Sequence, residues 1–338
     1  MQRCLDLAQK ALGDTYPNPM VGAVIVHENQ IIGEGWHQKS GLAHAEVKAI
    51  NSVSNKSLLS KSTLFVNLEP CSHFGKTPPC INIIERYKIP QIIIGSIDPN
   101  PEVAGKGIKY LKQIGCKVTQ GILKKESDFL NRRFFTFHQR KRPYVILKWA
   151  QTSDKFIAPF SKSKDKRAVY WITNKKSLQK VHQWRSQEAA VLVGVQTIIN
   201  DNPKLTTRNW KGSDPVRLIL DPQNRSPKNS NIFNDEKYTY VFNKETTLKK
   251  DDRKNAIKLN PYNLNTLFDY CFNIKIQSII VEGGGKTLQN FIDANLWDEA
   301  RIFTAEKKLI KGVSSPTINS KVFITEKYDG DELNFYFN

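Results

Sequence analysis

The chain has 338 residues, 39% of them hydrophobic and 25% charged; at roughly 100 to 200 residues per domain this asks for two domains with real cores, and excludes wholesale disorder, collagen-like or coiled-coil chains and a small disulfide-stapled module. Lys and Arg exceed Asp and Glu by 51 − 32 = 19 charges, which is compatible with nucleic acid, an anionic membrane or phosphorylated small molecules as partners. The basic residues, among them Arg132, Arg133, Arg140, Lys141 and Arg142, mark no single face, so charge alone does not choose.

The N-terminal stretch Gln2–Leu12 reads as an amphipathic helix, broken by Gly13, Pro17 and Pro19. It lacks the apolar core of a signal peptide, and no run in the chain approaches the roughly 18 apolar residues of a membrane helix, so the expected address is the cytoplasm. MVGAVIV at 20–26 reads as a buried strand, 31–37 as its hairpin partner, 43–53 as a helix, 63–68 as a strand, 80–87 as a helix, 91–95 as a strand, 107–114 as a helix and 116–119 as a short strand. Strands alternating with helices predict a three-layer α/β unit. The polar HQRKRP segment at 138–143 marks a boundary, dividing the chain into 1–141 and 142–338. Beyond it come strands at 144–150, 189–195, 216–221, 239–242 and 277–285, a helix at 174–186 and another at 286–299, again an α/β pattern. The Lys- and Asn-rich stretch 243–261 reads as a surface excursion.

Five cysteines, at 4, 71, 80, 116 and 271, are an odd number and argue against a disulfide framework; Cys71 and Cys80 read as metal ligands or catalytic thiols. His44-Ala45-Glu46 opens one helix, Cys71 follows a strand, and Cys80 opens the next helix. One imidazole and two thiolates suit a catalytic zinc, which keeps its fourth position for water. Zinc brings that water towards neutral pKa, and Glu46 would carry the proton, provided that His44 and Glu46 share the first helical turn. Zinc-dependent nucleobase deaminases carry H-x-E followed by P-C-x-x-C. Here eight residues separate the two cysteines, a departure from that spacing.

PNPMVGAVIV at 17–26, HAE at 44–46 and PCSHFGKTPPC at 70–80 resemble the deaminase half of the RibD family of bifunctional riboflavin biosynthesis proteins, whose cysteine spacing is this long one. The resemblance implies that His44, Cys71 and Cys80 hold zinc, that Glu46 is the proton donor and acceptor, and that Asn18, His73 and Lys76 contact substrate. An amide suits a pyrimidine edge and a cation suits a ribose phosphate. A loop role accounts for the same three residues, Asn18 being a turn residue between two prolines.

In the second half, IIVEGGGKTL places glycines between a strand and a helix, where backbone N–H groups can approach a phosphate. It is neither a Walker loop nor GxGxxG, and a plain tight turn explains it as well. KWAQTSDKFIA, VHQWRSQEAAVLVGVQTI and DNPKLTTR resemble the reductase half of the same family, a dihydrofolate-reductase-like domain that uses NADPH. By that resemblance Trp171, Thr197, Asp201 and the loop Gly284, Gly285, Lys286, Thr287, Leu288, Gln289 and Asn290 contact the cofactor, and Arg185, Leu205, Arg208 and Glu282 the substrate. Two departures stand out: Lys155 occupies a turn position where the family often has glycine, and Asn202 one where it has a second aspartate. Lys148 either faces the cofactor or lies on the surface.

The fold expected is thus an α/β chain, a cytidine-deaminase-like three-layer domain followed by a dihydrofolate-reductase-like one. The function implied by the resemblance is hydrolytic deamination of 2,5-diamino-6-ribosylamino-4(3H)-pyrimidinone 5′-phosphate, then NADPH-dependent reduction of the ribosyl group to ribityl. Zinc and NADPH are the implied cofactors, phosphorylated pyrimidines the partners, with neither nucleic acid nor membrane needed to give the charge a use, and a homo-oligomer is implied by the family. The rival readings are a tRNA or nucleoside deaminase with an appended cofactor domain, favoured by HAE and the basic charge, and an RNA-binding module with a structural zinc. Against the last stand Glu46 and the lack of a fourth nearby cysteine.

Overall fold

A computed structural model of the chain describes all residues except 76–77, 102, 161–169, 246–247 and 250–252, with backbone alone at 248–249. It divides into two compact units, Met1–Lys141 and Arg142–Asn338.

The first unit runs α1 (Gln2–Gln9), β1 (Gly22–His27), β2 (Gln30–Trp36), α2 (Ala45–Ser52), β3 (Thr63–Leu68), α3 (Cys80–Arg86), β4 (Gln91–Ser96), α4 (Lys106–Gln113), β5 (Lys117–Gln120), α5 (Lys124–Leu130) and α6 (Arg132–Arg140). The sheet order is β2-β1-β3-β4-β5, with β1 antiparallel to β2 and β3, and β3, β4 and β5 parallel. Side chains alternate across a strand. Ala23, Ile25, Leu64, Val66, Ile92 and Ile94 therefore share one buried face with Ala49 and Ile50 of α2, Ile84 of α3 and Leu111 of α4. Val24 points the other way, onto Cys4 and Leu7 of α1. This is the expected three-layer sandwich, and it delivers the starts of α2 and α3 and the end of β3 to one place.

The second unit comprises β6 (Tyr144–Thr152), β7 (Phe156–Pro159), α7 (Lys175–Gln187), β8 (Ala190–Gly194), α8 (Val195–Asp201), β9 (Val216–Leu220), β10 (Thr239–Asn243), β11 (Leu248–Lys249), β12 (Lys254–Lys258), α9 (Leu264–Asn273), β13 (Ser278–Gly283), α10 (Gly285–Asp293), β14 (Glu299–Ala305), β15 (Gly312–Ser314), β16 (Ile324–Tyr328) and β17 (Asp331–Phe337). Ten strands form one sheet, β11-β12-β10-β9-β8-β13-β6-β14-β17-β16. The run from β12 to β14 is parallel, and antiparallel strands close both ends. A parallel sheet is covered on both faces, which is why its strands read as unbroken apolar runs. Val145, Leu147, Ile279 and Val281 pack on α9 and α10, while Ile146, Val191 and Ile280 pack with Val181 and Trp184 of α7 and Ile198 of α8.

Two expectations change. The helix expected over 286–299 stops at Asp293, where Asn295 takes a left-handed φ of 53° and turns the chain, so that Glu299 opens β14. The stretch 243–261 is more than a surface excursion: β12 lies within it, parallel to β10, and buried Lys254 donates to the Lys237 carbonyl and to Asp235.

The turn joining β6 to β7 keeps its shape without glycine. Lys155 sits at φ 66°, its N–H bonded to the Thr152 carbonyl at 2.9 Å and its carbonyl accepting from Ser315 N at 2.9 Å. A left-handed conformation costs a non-glycine residue roughly 1–2 kcal/mol, and glycine forfeits roughly half of that gain through the unfolded chain. Lys155→Gly is therefore expected to stabilise the protein by about 0.5–1 kcal/mol. An unchanged or lowered thermal midpoint would contradict this reading of the turn.

Candidate active sites

His44 is the N-cap of α2, with extended backbone (φ −70°, ψ 165°), Cys80 is the first residue of α3, and Cys71 lies in the loop leaving β3. His44 Nδ1 stands 3.2 Å from Cys80 Sγ and 3.5 Å from Cys71 Sγ, and the Cys80 main-chain N–H donates to Cys71 Sγ at 3.3 Å. The three ligand atoms fall within 4.8 Å of one another. Tetrahedral zinc, with bonds of about 2.3 Å to sulfur and about 2.0–2.1 Å to nitrogen, separates an S and an N ligand by roughly 3.6 Å. The donor set fits that ion, with the imidazole bound through Nδ1.

Glu46 follows in the first turn of α2, so the structure meets the condition set by the sequence for it to work beside His44. It is 3% exposed. Burial and the neighbouring Cys71 push its carboxyl up to about 7, with His44 opposing. Cys71 is drawn down to about 4, first by a hydrogen bond from Cys80 and further by His44, against the effect of burial. Cys80 is raised by that same hydrogen bond and by its burial. Of the two thiols Cys71 is thus the one favoured as thiolate, and its hydrogen bond raises the His44 imidazole above its ordinary pKa.

Of the expected substrate contacts, Asn18 is at the site: its Nδ2 donates to His37 Nε2 at 3.0 Å, and the His37 ring meets that of His44 edge-on at 5.2 Å. Burial holds His37 neutral, so Nδ1–H points to the Ala43 carbonyl at 3.4 Å while Nε2 accepts. His37 escaped the sequence reading; its one signal was its place at the end of an apolar strand. His73 is exposed in the loop between β3 and α3, and Lys76 lies outside the described residues.

In the second unit Arg185 of α7 grips Glu282 of β13 bidentately, Nε to Oε1 at 2.6 Å and Nη2 to Oε2 at 2.7 Å, and Lys148 of β6 stands 3.9 Å from the same carboxylate. Burial works to raise the Glu282 pKa, but Arg185 and Lys148 prevail and hold it at about 2. Lys148 is half-buried and turned towards Glu282, and desolvation lowers its pKa. Arg185 is therefore committed to a carboxylate rather than presented to a phosphate, whereas Arg208 is exposed. Arg185 Nη1 also donates to the Thr206 carbonyl at 3.1 Å, and buried His182 meets that carbonyl at 2.7 Å. Leu205, beside it, is buried with φ 54°.

The glycine turn lies at the carboxyl end of β13. A Cβ on Gly283 would stand 2.7 Å from Thr197 Oγ1, and one on Gly194 2.6 Å from Thr287 Oγ1, so the β8 and β13 turns close on each other only without side chains. Gly284 N–H donates to Thr197 Oγ1 at 3.4 Å. Lys286, Thr287, Gln289 and Asn290 line a groove of about 1280 Å³ together with Gly194 and Leu220. That groove is ample for a dinucleotide. Leu288 turns into the core, so only its backbone faces outward. Trp171 is exposed and its carbonyl accepts from Lys307 Nζ at 3.0 Å; Asp201, also exposed, ends α8.

Residues 1–96 match the family model for the cytidine and deoxycytidylate deaminase zinc-binding region, and residues 143–309 that for the RibD C-terminal domain. The riboflavin biosynthesis protein RibD of Aquifex aeolicus is 39% identical over 93% of this chain and 88% of its own. The solved structure of a diaminohydroxyphosphoribosylaminopyrimidine deaminase/5-amino-6-(5-phosphoribosylamino)uracil reductase from Thermotoga maritima is 36% identical, covering 100% of this chain and 97% of its own at a TM-score of 0.89. Acinetobacter baumannii RibD aligns at a TM-score of 0.90 and 30% identity over 99% of this chain and 97% of its own.

A Glu282 carboxyl held at about 2, against 4.5 ordinarily, contributes stability that is full above 4.5 and lost as pH falls towards 2. Urea unfolding followed by tryptophan fluorescence, five of the six tryptophans lying beyond residue 141, should lose stability between pH 5 and 2 more steeply in the wild type than in Glu282→Gln. Parallel pH profiles would contradict this account of the ion pair.

Proposed function

This chain belongs to the RibD family of bifunctional deaminase–reductases of riboflavin biosynthesis, and we propose that Met1–Lys141 carries its deaminase site and Arg142–Asn338 its reductase site. The observation that carries the first half is the meeting of His44, Cys71 and Cys80 ligand atoms within 4.8 Å beside a buried Glu46. These three residues would hold the zinc, which when bound lowers the pKa of water towards neutrality. Burial raises the Glu46 carboxyl above its ordinary value, which favours proton uptake. Glu46 therefore takes up a proton at its carboxylate and returns it to the departing amine of the pyrimidine. Asn18, tied through Nδ2 to His37, offers its amide oxygen to an amino group on the pyrimidine edge.

In the second unit Thr197, Asp201, Trp171 and residues 284–290 would receive NADPH, which supplies the hydride for C1 of the ring-opened ribosyl group. Arg208 supplies an exposed guanidinium for the substrate phosphate, while Leu205, Arg185 and Glu282 shape the pocket around it. Arg185 and buried His182 both hold the Thr206 carbonyl between Leu205 and Arg208, which supports their shared role in that loop. His73 and Lys76 complete the proposed deaminase contacts with the ribose phosphate.

All five cysteines are free, which suits the reducing cytoplasm where we place the enzyme. Among the described residues no helix is long and apolar enough to cross a membrane. Family likeness and the edge strand β16, which follows exposed Val322 and Phe323 and begins at exposed Ile324, support self-association.

Glu46→Gln is expected to lower deamination by about 10²–10⁴-fold, with stoichiometric zinc and with NADPH oxidation on the deaminated pyrimidine phosphate unchanged. Ammonia release at the wild-type rate would overturn the role of Glu46. Chelation of the metal should abolish ammonia release and spare NADPH oxidation on the deaminated pyrimidine phosphate supplied directly; loss of both would refute the division of labour. Light scattering of the full chain should give a mass above one chain's 38.7 kDa; a monomer would refute self-association.

A further inference from the structure

The segment that carries Asn18 is not held by its own packing alone. Two buried carboxamides from distant elements close on its backbone. Asn131, at the joint between α5 and α6, accepts from Met20 N–H at 2.8 Å and donates to the Met20 carbonyl at 2.9 Å. Asn67 of β3 donates to that same carbonyl at 3.1 Å and accepts from Gly22 N–H at 2.8 Å. Asn67 is 0% and Asn131 2% exposed. Between the two clamped residues, the Val21 carbonyl accepts from His37 N–H at 2.9 Å. The segment 18–22 thus touches His37 twice, through this main-chain bond and through the Asn18 side chain, and His37 in turn abuts the His44 ring.

A mere need to satisfy three backbone groups does not demand two amides: β1 begins at Gly22, and ladder bonds or water would serve. The carboxamide supplies a donor and an acceptor on one rigid fork, which specifies both where Met20 sits and how its peptide is turned. Hydrogen-bond networks in buried surroundings fix a unique arrangement when every member is satisfied. Here the four bonds from Asn67 and Asn131 engage each side chain through both its oxygen and its nitrogen.

We propose that Asn67 and Asn131 are positioning residues of the deaminase, which set the segment 18–22 so that Asn18 and His37 form the pyrimidine-facing wall beside the metal ligands. The inference rests on the reading of Asn18 as a substrate contact. It concerns binding and orientation rather than proton transfer, so its effect belongs in KM. Zinc content reports whether the unit that holds the clamp is folded, and the second activity reports the other unit.

The test is steady-state kinetics of full-length, zinc-loaded protein, with ammonia release measured on the diamino pyrimidine phosphate and NADPH oxidation on its deaminated product, for Asn131→Ala, Asn131→Asp, Asn67→Ala, Asn18→Ala and the double variant Asn18→Ala/Asn131→Ala. Asn131→Ala and Asn67→Ala should each raise the deaminase KM about tenfold, a change worth about 1.4 kcal/mol, with kcat within about twofold, zinc at one per chain and the reductase unaltered. Asn131→Asp keeps the acceptor for Met20 N–H and should recover part of the loss; it is read by the same criteria if Asn131→Ala is insoluble. The double variant should be no worse than Asn18→Ala, because both act through one contact. Wild-type KM in the clamp variants, a fall in kcat and zinc content with KM unchanged, or multiplicative losses in the double variant would each overturn the proposal. A wild-type KM for Asn18→Ala would instead overturn the assignment of Asn18 on which it rests.

Discussion

The deaminase unit depends on bringing one imidazole nitrogen and two sulfurs to tetrahedral spacing while a carboxyl stays buried beside them. No local segment can do this. The ligands come from the start of α2, the loop after β3 and the start of α3, and the three elements converge because α2 and α3 pack on the same face of the sheet that β3 belongs to. The apolar core of this unit therefore does chemical service: its alternation of Ile25, Leu64 and Ile92 against Ile50 and Ile84 decides where His44 and Cys80 begin their helices. Burial then acts a second time, raising the Glu46 carboxyl above its ordinary value.

The second unit solves a different problem, that of keeping charge inside a parallel sheet. Glu282 comes from the central strand β13, and its desolvation is tolerable because Arg185 meets both oxygens and Lys148 adds its charge. The arrangement leaves a fixed electrostatic landmark beside the loop that holds Leu205 and Arg208. A few residues away the lack of a side chain at Gly194 and Gly283 lets two strand ends draw together around Thr197 and Thr287. Ion pair and glycine turn both sit at the carboxyl ends of parallel strands, where α/β sheets ordinarily place their ligands.

Much of this was legible in the residues. Strands such as 63–68 and 91–96 announce themselves as short apolar runs, and of the three residues proposed to hold the metal, His44 and Cys80 stand at helix starts and Cys71 just beyond a strand. The helices α5 and α6 were not read, for their sequences, KKESDFL and RRFFTFHQR, are so polar that only packing reveals their apolar side. The strands β14 to β17 were missed for a related reason. Glu299 and Arg301 are charged yet buried, their ion pair formed at 2.6 Å within β14, which breaks the apolar signature of a core strand. Lys155 and Asn202, noted as departures, occupy left-handed backbone at φ 66° and 40°, so both turns persist with different residues.

By itself the sequence determined which chemistry was available: the ligand types, the acid two residues beyond the histidine, the glycine turn and the alternation of elements are local facts written in order along the chain. Only the tertiary structure decided which polar groups meet. His37 reaching Asn18, Arg185 turning to Glu282 and Lys148 turning to the same carboxylate are contacts between residues 19, 97 and 134 positions apart. Periodicity reports which side of an element is buried, but hydrogen bonds and ion pairs are fixed by distances of a few ångströms between elements, and those exist only once the layers have packed.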